Sequence, residues 1–327
     1  MRRLISLIVI LAVLAAAWAG GWFWLADFSE RNLNRALQEV AERGIEVDCP
    51  GRAISGFPFA LQVACGETAV AERTTSTTAR VAGLTGGASI FAPFTAEIAV
   101  DSPAHVESPL LAGPAEMRWD DAEVDVGLGM NGPENVSFAS TNLVAEFTDP
   151  TLADPVVTAA KAGGTLAPSA NGGTDGTLTF TDLVATVNGT ALPPLTGDVS
   201  GEISAPPQAL LAGRDALQAP LSVRNIKVSL TSGEARIDAS GEIAVDADGV
   251  ADGSLVIVVA GAEAIPSLIE ALPDEQEQIG SLAAGALFMF GRPTTLDGRE
   301  ASEIVMQIER GVARIGMVEV ELPRVPL

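Results

Sequence analysis

The sequence is short of the side chains that run most enzyme chemistry. Its 327 residues include one His, no Tyr, two Cys and four Trp, and three of those Trp fall within the first 24 positions. General acid–base catalysis and metal binding draw on His, Cys and converging carboxylates, so the body of the chain is thinly supplied for either. Basic residues are also scarce. Nineteen Lys plus Arg stand against 42 Asp plus Glu, a formal charge of −23. A phosphate-backbone binder needs a basic stripe to displace counterions, so nucleic acid is excluded as a partner. Aromatics make up only 5%, while hydrophobic residues reach 47%, so the apolar interior must be built mostly from Ala, Val, Leu and Ile.

Long apolar runs are missing too, with one exception. Arg2 and Arg3 precede an uncharged stretch from Leu4 to Ala26, which ends at Asp27. As a helix it would reach about 34 Å, enough for a hydrocarbon core of about 30 Å. The leading arginines predict a cytoplasmic N-terminus and an exported body. Trp18, Trp22, Phe23 and Trp24 gather at the far end, where amphipathic rings favour the headgroup zone. A cleaved signal peptide is the alternative, since Ala17-Trp18-Ala19 has the small-x-small form of a cleavage site. The run continues through Leu25, past the length of an ordinary signal-peptide core, which favours an uncleaved anchor.

The expected organisation is an anchor over 1–26, a membrane-proximal amphipathic helix over 27–44 and an exported β-rich domain over 45–327. In the helix, Phe28, Leu33, Ala36, Leu37 and Val40 recur at helical spacing, and Gly44 is placed to end it. Cys49 and Cys65 follow. Export would put them in an oxidising compartment, where so close a pair reads as a structural disulfide rather than two free thiols.

Beyond Gly44 the pattern has a period of two. Ala122, Val124 and Val126 alternate with Glu123 and Asp125; Ile226, Val228 and Leu230 alternate with Asn225, Lys227 and Ser229. Ala235 to Val245 interleaves small or apolar residues with Arg236, Asp238, Ser240 and Glu242, and Val318, Val320 and Leu322 flank Glu319 and Glu321. Strands with one apolar and one solvated face belong to antiparallel sheets. Asn131-Gly132, Asn188-Gly189, Asp248-Gly249, Asp252-Gly253 and Asp297-Gly298 read as turns between them. The glycine-rich stretch 162–176 reads as a flexible loop or a boundary between two halves. Helices are expected over 265–290 and, shorter, over 206–218. The fold class is therefore mainly β with flanking helices: an elongated, curved antiparallel sheet behind an N-terminal transmembrane helix.

Several of these features resemble one bacterial family. They are the Arg-led anchor with its following helix, Ser55-Gly56-Phe57-Pro58-Phe59 opening a strand, and Phe91-Ala92-Pro93 with Ser102-Pro103. Near the C-terminus come Gly291-Arg292-Pro293, Asp297-Gly298 and Gly311-Val312-Ala313-Arg314-Ile315-Gly316. The chain is similar to domain-of-unknown-function family 2125, envelope proteins of Gram-negative bacteria. That layout is similar to the larger AsmA-like group, whose members carry an N-terminal anchor and a β-sheet folded into a lipid-accommodating groove. The resemblance implies an inner-membrane protein with a periplasmic body, and it implies no catalytic residue. The chain departs from the family pattern in having no aromatic between Phe59 and Phe91.

The chemical candidates are weaker. His105, in SPAHVESPL, has no nucleophile and orienting carboxylate at any recognisable spacing, and reads as a surface-loop residue. Gly83-Leu84-Thr85-Gly86-Gly87 lacks the Lys and hydroxyl of a phosphate loop. Asp246, Asp248 and Asp252 lack the spacing of an EF-hand and read as a charged hairpin turn. Phe57, Pro58 and Phe59 form either a sheet corner or a lid over an apolar groove. No catalytic residue, metal or cofactor is expected. The expected function is non-catalytic, a β-groove protein binding lipid or another amphiphile in envelope maintenance. The alternative is an envelope scaffold that meets a protein partner and holds no ligand.

Overall fold

The structure is a computed structural model that describes residues 2–42, 44–73, 76–109, 111, 113–129, 132–148, 155–187, 189–212, 220–261, 285 and 289–325. Side chains of residues 2–12, 15, 16, 36, 39, 187 and 212 lie outside that description. Helix α1 (Arg2–Glu42) leads into β1 (Ile45–Asp48), β2 (Ala53–Ser55), β3 (Ala60–Cys65), β4 (Thr68–Glu72), β5 (Thr77–Ser89) and β6 (Ala92–Glu107). There follow β7 (Ala115–Arg118), β8 (Asp121–Gly129), β9 (Gly132–Phe147), β10 (Val156–Pro168), β11 (Thr174–Val187), β12 (Thr190–Ala191) and β13 (Leu195–Ile203). After the short α2 (Pro207–Ala212) come β14 (Leu221–Ser232), β15 (Ala235–Val245) and β16 (Ala251–Ala260). The chain closes with β17 (Arg292–Leu296), β18 (Arg299–Glu309), β19 (Val312–Ile315) and β20 (Val318–Glu321).

All of these strands belong to one antiparallel sheet. Its spine runs β5, β6, β8, β9, β10, β11, β13, β14, β15, β16, β18, each paired with the next. At about 4.8 Å per strand it is roughly 48 Å across. At one end β4 and β3 sit side by side on β5 and carry β1 and β2. At the other, β17 and β19 share the outer edge of β18, and β20 pairs with β19.

The expected mainly-β antiparallel fold is therefore observed, with three local differences. The anchor and the membrane-proximal helix are one element, because no proline interrupts Arg2–Glu42 and two glycines cost only about 1 kcal/mol each in a helix. Gly44, at φ 91°, ends it as expected. Among the described residues no helix is long and apolar enough to cross a membrane; the polar half beyond Asp27 is part of the same rod. The stretch 162–176 is not a loop. Residues 162–168 lie in β10, in unbroken register with β11 throughout and with β9 as far as Leu166, and Ser169–Gly173 close a tight hairpin. Asp252-Gly253 lies inside β16 rather than in a turn, whereas Asp297-Gly298 does form a two-residue turn with both residues at positive φ. The helix expected over 265–290 lies outside the described residues except 285, 289 and 290, as do Asn131 and Asn188. Pro207–Ala212 realises the first part of the helix expected over 206–218.

Strand bulges hold the apolar residues on one side. In β9, Val136 and Phe138 share a face with Leu143, Ala145 and Phe147, although the parity changes between them. The switch occurs at the left-handed Asn142, φ 51°, with no register shift against β10. In β11 the same switch falls at Asp182, φ 51°, between Phe180 and Leu183. In β14 it falls at Asn225, φ 53°, between Val223 and Ile226. A bulge adds a residue, bends its strand and re-aims the side chains beyond it. The left-handed residues of β9 and β11 continue a line of irregularities that includes the β5 shift at Val81/Gly83, the cis Ser102-Pro103 of β6 and the gap between β7 and β8. At that gap Trp119 donates its indole N–H to Val100 O at 2.8 Å, and Asn142 donates to Asp120 at 2.6 Å.

Among the described residues no second sheet covers the apolar face. The accessible surface is 19957 Å², whereas a compact protein of 33.5 kDa would expose roughly 12,700 Å². Dense packing is concentrated at the C-terminal end, where Ala251, Ile308 and Ala313 form one cluster and Val259 and Ile304 another.

Candidate functional site: an apolar groove and an aromatic rim

In the middle of the sheet the apolar face is open. The register of β10, β11, β13, β14 and β15 puts Leu166, Leu178, Val199, Ile203, Val223 and Ile243 on one side. They line a hollow of about 440 Å³, within the range of small-molecule sites. Its wall is almost wholly aliphatic. Leu178 is 43% exposed and Phe138, on neighbouring β9, is 42% exposed, so large apolar side chains meet solvent here.

Glycines make the hollow possible. Gly176 and Gly201 face into it; a Cβ on Gly176 would only touch Leu166 at 3.5 Å, and one on Gly201 would press on Val223 at 3.0 Å. Nearby, the ring of Phe180 and the side chain of Leu230 lie over Gly197, where a Cβ would meet them at 3.0 and 2.6 Å. Phe138 lies over Gly164 in the same way. Glycine in a strand weakens it but allows a neighbouring side chain to approach the backbone.

One end of the hollow is fastened by Glu202, on the opposite face from Ile203. Its side chain is 7% exposed. It accepts hydrogen bonds from Ser169 Oγ at 2.9 Å, Asn171 Nδ2 at 2.9 Å, Arg224 Nη2 at 3.3 Å and Asn225 Nδ2 at 3.4 Å. The bonds from Asn171 and Ser169, helped by the Arg224 charge, hold this carboxyl below its ordinary value despite burial. The β10–β11 hairpin, β13 and β14 are thereby tied at one point. Nothing in the sequence patterning singled out Glu202, because its partners lie 22 to 33 residues away.

The second feature is the end of the sheet nearest α1. Cys49 and Cys65 are joined, with their Cα atoms 5.2 Å apart, so the disulfide reading holds. The bridge ties the β1–β4 arm to the β2–β3 arm. Between them, Phe57, Pro58 and Phe59 form a turn with a cis Phe57-Pro58 bond. Gly56 makes the turn possible: at φ 99°, its Cβ would lie 2.7 Å from Ala60 O. Phe57 is 51% exposed and Phe59 is 55% exposed, so both rings meet solvent. Phe57 meets Trp22 edge-on at 5.5 Å and stacks on Phe23 at 6.3 Å. Phe59 meets Phe91 at 6.0 Å.

The remaining candidates sit apart from both features. His105 lies in strand β6 rather than in a loop. It is exposed, with Nδ1 3.8 Å from Glu116 of the paired strand. The Gly83–Gly87 stretch is also strand, within β5. Asp246 accepts the backbone N–H of Asp248 and Val250, and Asp252 that of Arg310, which makes them turn-formers. Among the described residues no cluster of His, Cys, Asp and Glu has the geometry to hold a metal.

A one-layer β-sheet with a partly open aliphatic face and an aromatic end beside a long N-terminal helix defines the class of protein. The chain belongs to the family described as uncharacterised protein conserved in bacteria (DUF2125), whose model matches residues 22–322. Neither a curated protein nor a solved structure matches it.

Proposed function

We propose that this protein is a membrane-anchored, non-catalytic binder that receives an acyl chain or similar amphiphile on the apolar face of its sheet. The inner membrane would be its platform, with Leu4–Ala26 crossing it, the N-terminus cytoplasmic and the body in the periplasm. Kinship with AsmA-like envelope proteins is part of the same reading. The observation that carries it is the hollow between Leu166, Leu178 and Ile203, together with the half-exposed Phe138 beside it. Apolar side chains left in contact with water favour a ligand that removes them from it. Aliphatic walls without a charged group suit hydrocarbon rather than a polar substrate. The leading Arg2-Arg3 pair and the uncharged run behind it support the orientation.

The test is a photo-crosslinking residue placed in cells at Leu178, on the apolar face, and separately at Thr179, on the other. An adduct of phospholipid or fatty-acid mass at 178 and none at 179 is expected. Protein adducts at both positions with no lipid at either would overturn this reading in favour of an envelope scaffold.

A further inference from the structure

We infer that the end of the sheet formed by the Phe57–Phe59 turn and the Ile90–Phe94 hairpin is a membrane-docking rim. It would insert its phenylalanines into the outer headgroup and acyl boundary of the bilayer that holds α1. The inference rests on the membrane-anchor part of the proposed function but not on any ligand in the groove.

Three observations converge on it. The first is exposure. Phe91 is 79% exposed and Phe94 is 73% exposed, joining Phe57 and Phe59. With aromatic side chains of about 200 Å² each, the four rings leave roughly 500 Å² of apolar surface in water, the size of a functional patch.

The second is charge. Residues 53–65 and 81–96 contain no Asp, Glu, Lys or Arg, in a chain that is 19% charged and carries −23 overall. At that average, segments of this combined length would hold about five charges, the ordinary dressing of a solvated surface. Glu97 and Arg80 mark where charge resumes. Carboxylates are thus kept away from the one part of the body where a lipid surface would meet them.

The third is position. The indole N–H of Trp18 donates to Pro58 O at 3.2 Å, and that of Trp22 to Ala60 O at 2.9 Å. The turn is therefore held against α1 inside its uncharged run, not beyond it. Trp18 lies eight residues before Ala26, about 12 Å along the axis. The headgroup layer is only about 5–7 Å deep on each side. With α1 across the bilayer, a turn fastened at Trp18 has to enter the layer, and its neighbours Phe59 and Phe91 go with it.

The test uses the full chain in phosphatidylcholine vesicles. A nitroxide is attached at Ala92→Cys, which is exposed between Phe91 and Phe94 and leaves both rings in place. Matching labels go at Leu14→Cys in α1 and Asp248→Cys in the distant β15–β16 turn. Oxygen reports lipid exposure and an aqueous nickel chelate reports water. The oxygen-to-nickel accessibility ratio at 92 is expected to exceed that at 248 about tenfold, as for shallow insertion. Adding Phe91→Ser and Phe94→Ser should return it towards the value at 248. If 92 matches 248 while 14 reports hydrocarbon, the rim is overturned and the anchor stands. If 14 also matches 248, the anchor itself fails and the rim with it.

Discussion

Glu202 is a carboxylate that water scarcely reaches, and its four donors come from two segments, the β10–β11 turn and β14. Because its folded-state pKa lies below the ordinary value near 4.5, it stabilises the native state at pH above that value. The contribution disappears as pH falls through the lower, folded value. Glu202→Gln is thus expected to melt below wild type at pH 7, with the gap closing towards pH 3 in paired thermal scans; a gap independent of pH would contradict the assignment. The glycines make a second residue-scale comparison. Gly197→Ala drives a methyl against Leu230 and Phe180 and is expected to cost about 1–3 kcal/mol. Gly176→Ala meets Leu166 only at ordinary contact distance and should stay within about 0.5 kcal/mol of wild type. Urea unfolding of the two variants distinguishes a floor that side chains cover from a floor left open.

Among the elements, the disulfide-bridged end was the most readable. Cys49 and Cys65 were near in sequence, and the turn between them was marked by Gly56 and Pro58. Closing a loop of 16 residues is worth about 3 kcal/mol in the chain-entropy model, so Cys49→Ser with Cys65→Ser should lower unfolding stability by about that amount. Strands with clean alternation, such as 122–126, 226–230 and 235–245, were legible because burial on one face imposes period two. The β10–β11 hairpin was not. Its glycines suggested a loop, but Gly164 is where Phe138 of the neighbouring strand lies, a cross-strand relation that no local window contains. The bulges were hidden for a related reason. Asn142, Asp182 and Asn225 look like ordinary polar strand residues until left-handed geometry makes each a switch of face. Replacing Asp182 with Val, a side chain poorly suited to φ near 51°, should destabilise the β11 bulge by about 1–2 kcal/mol, read by urea denaturation.

On the scale of the whole molecule, charge and shape act together. A chain with net charge −23 is repelled by anionic lipid at low salt, while an uncharged aromatic end is not. Nickel shielding of the label at 92 should therefore be deeper in phosphatidylcholine than in phosphatidylglycerol vesicles at low ionic strength. The difference should vanish at about 0.5 M salt, where the Debye length falls to about 4 Å. Equal shielding at every salt concentration would mean that the acidic face stands too far from the bilayer to matter.

Composition and periodicity by themselves determined the class of fold, the helix up to Gly44, the disulfide and the poverty of catalytic groups. Each of these follows from local pattern or from counts, which a linear chain carries openly. Only the tertiary structure decided that the sheet is a single continuous layer, that its aliphatic face stays partly open, and that Glu202 fastens it. It alone brought Trp18, Trp22, Phe57, Phe59 and Phe91 into one patch. These features depend on which strand lies beside which, and that choice is made by side chains meeting across tens of residues. Hydrophobic burial is indifferent to sequence distance, so the groove and the rim exist only once the sheet has formed.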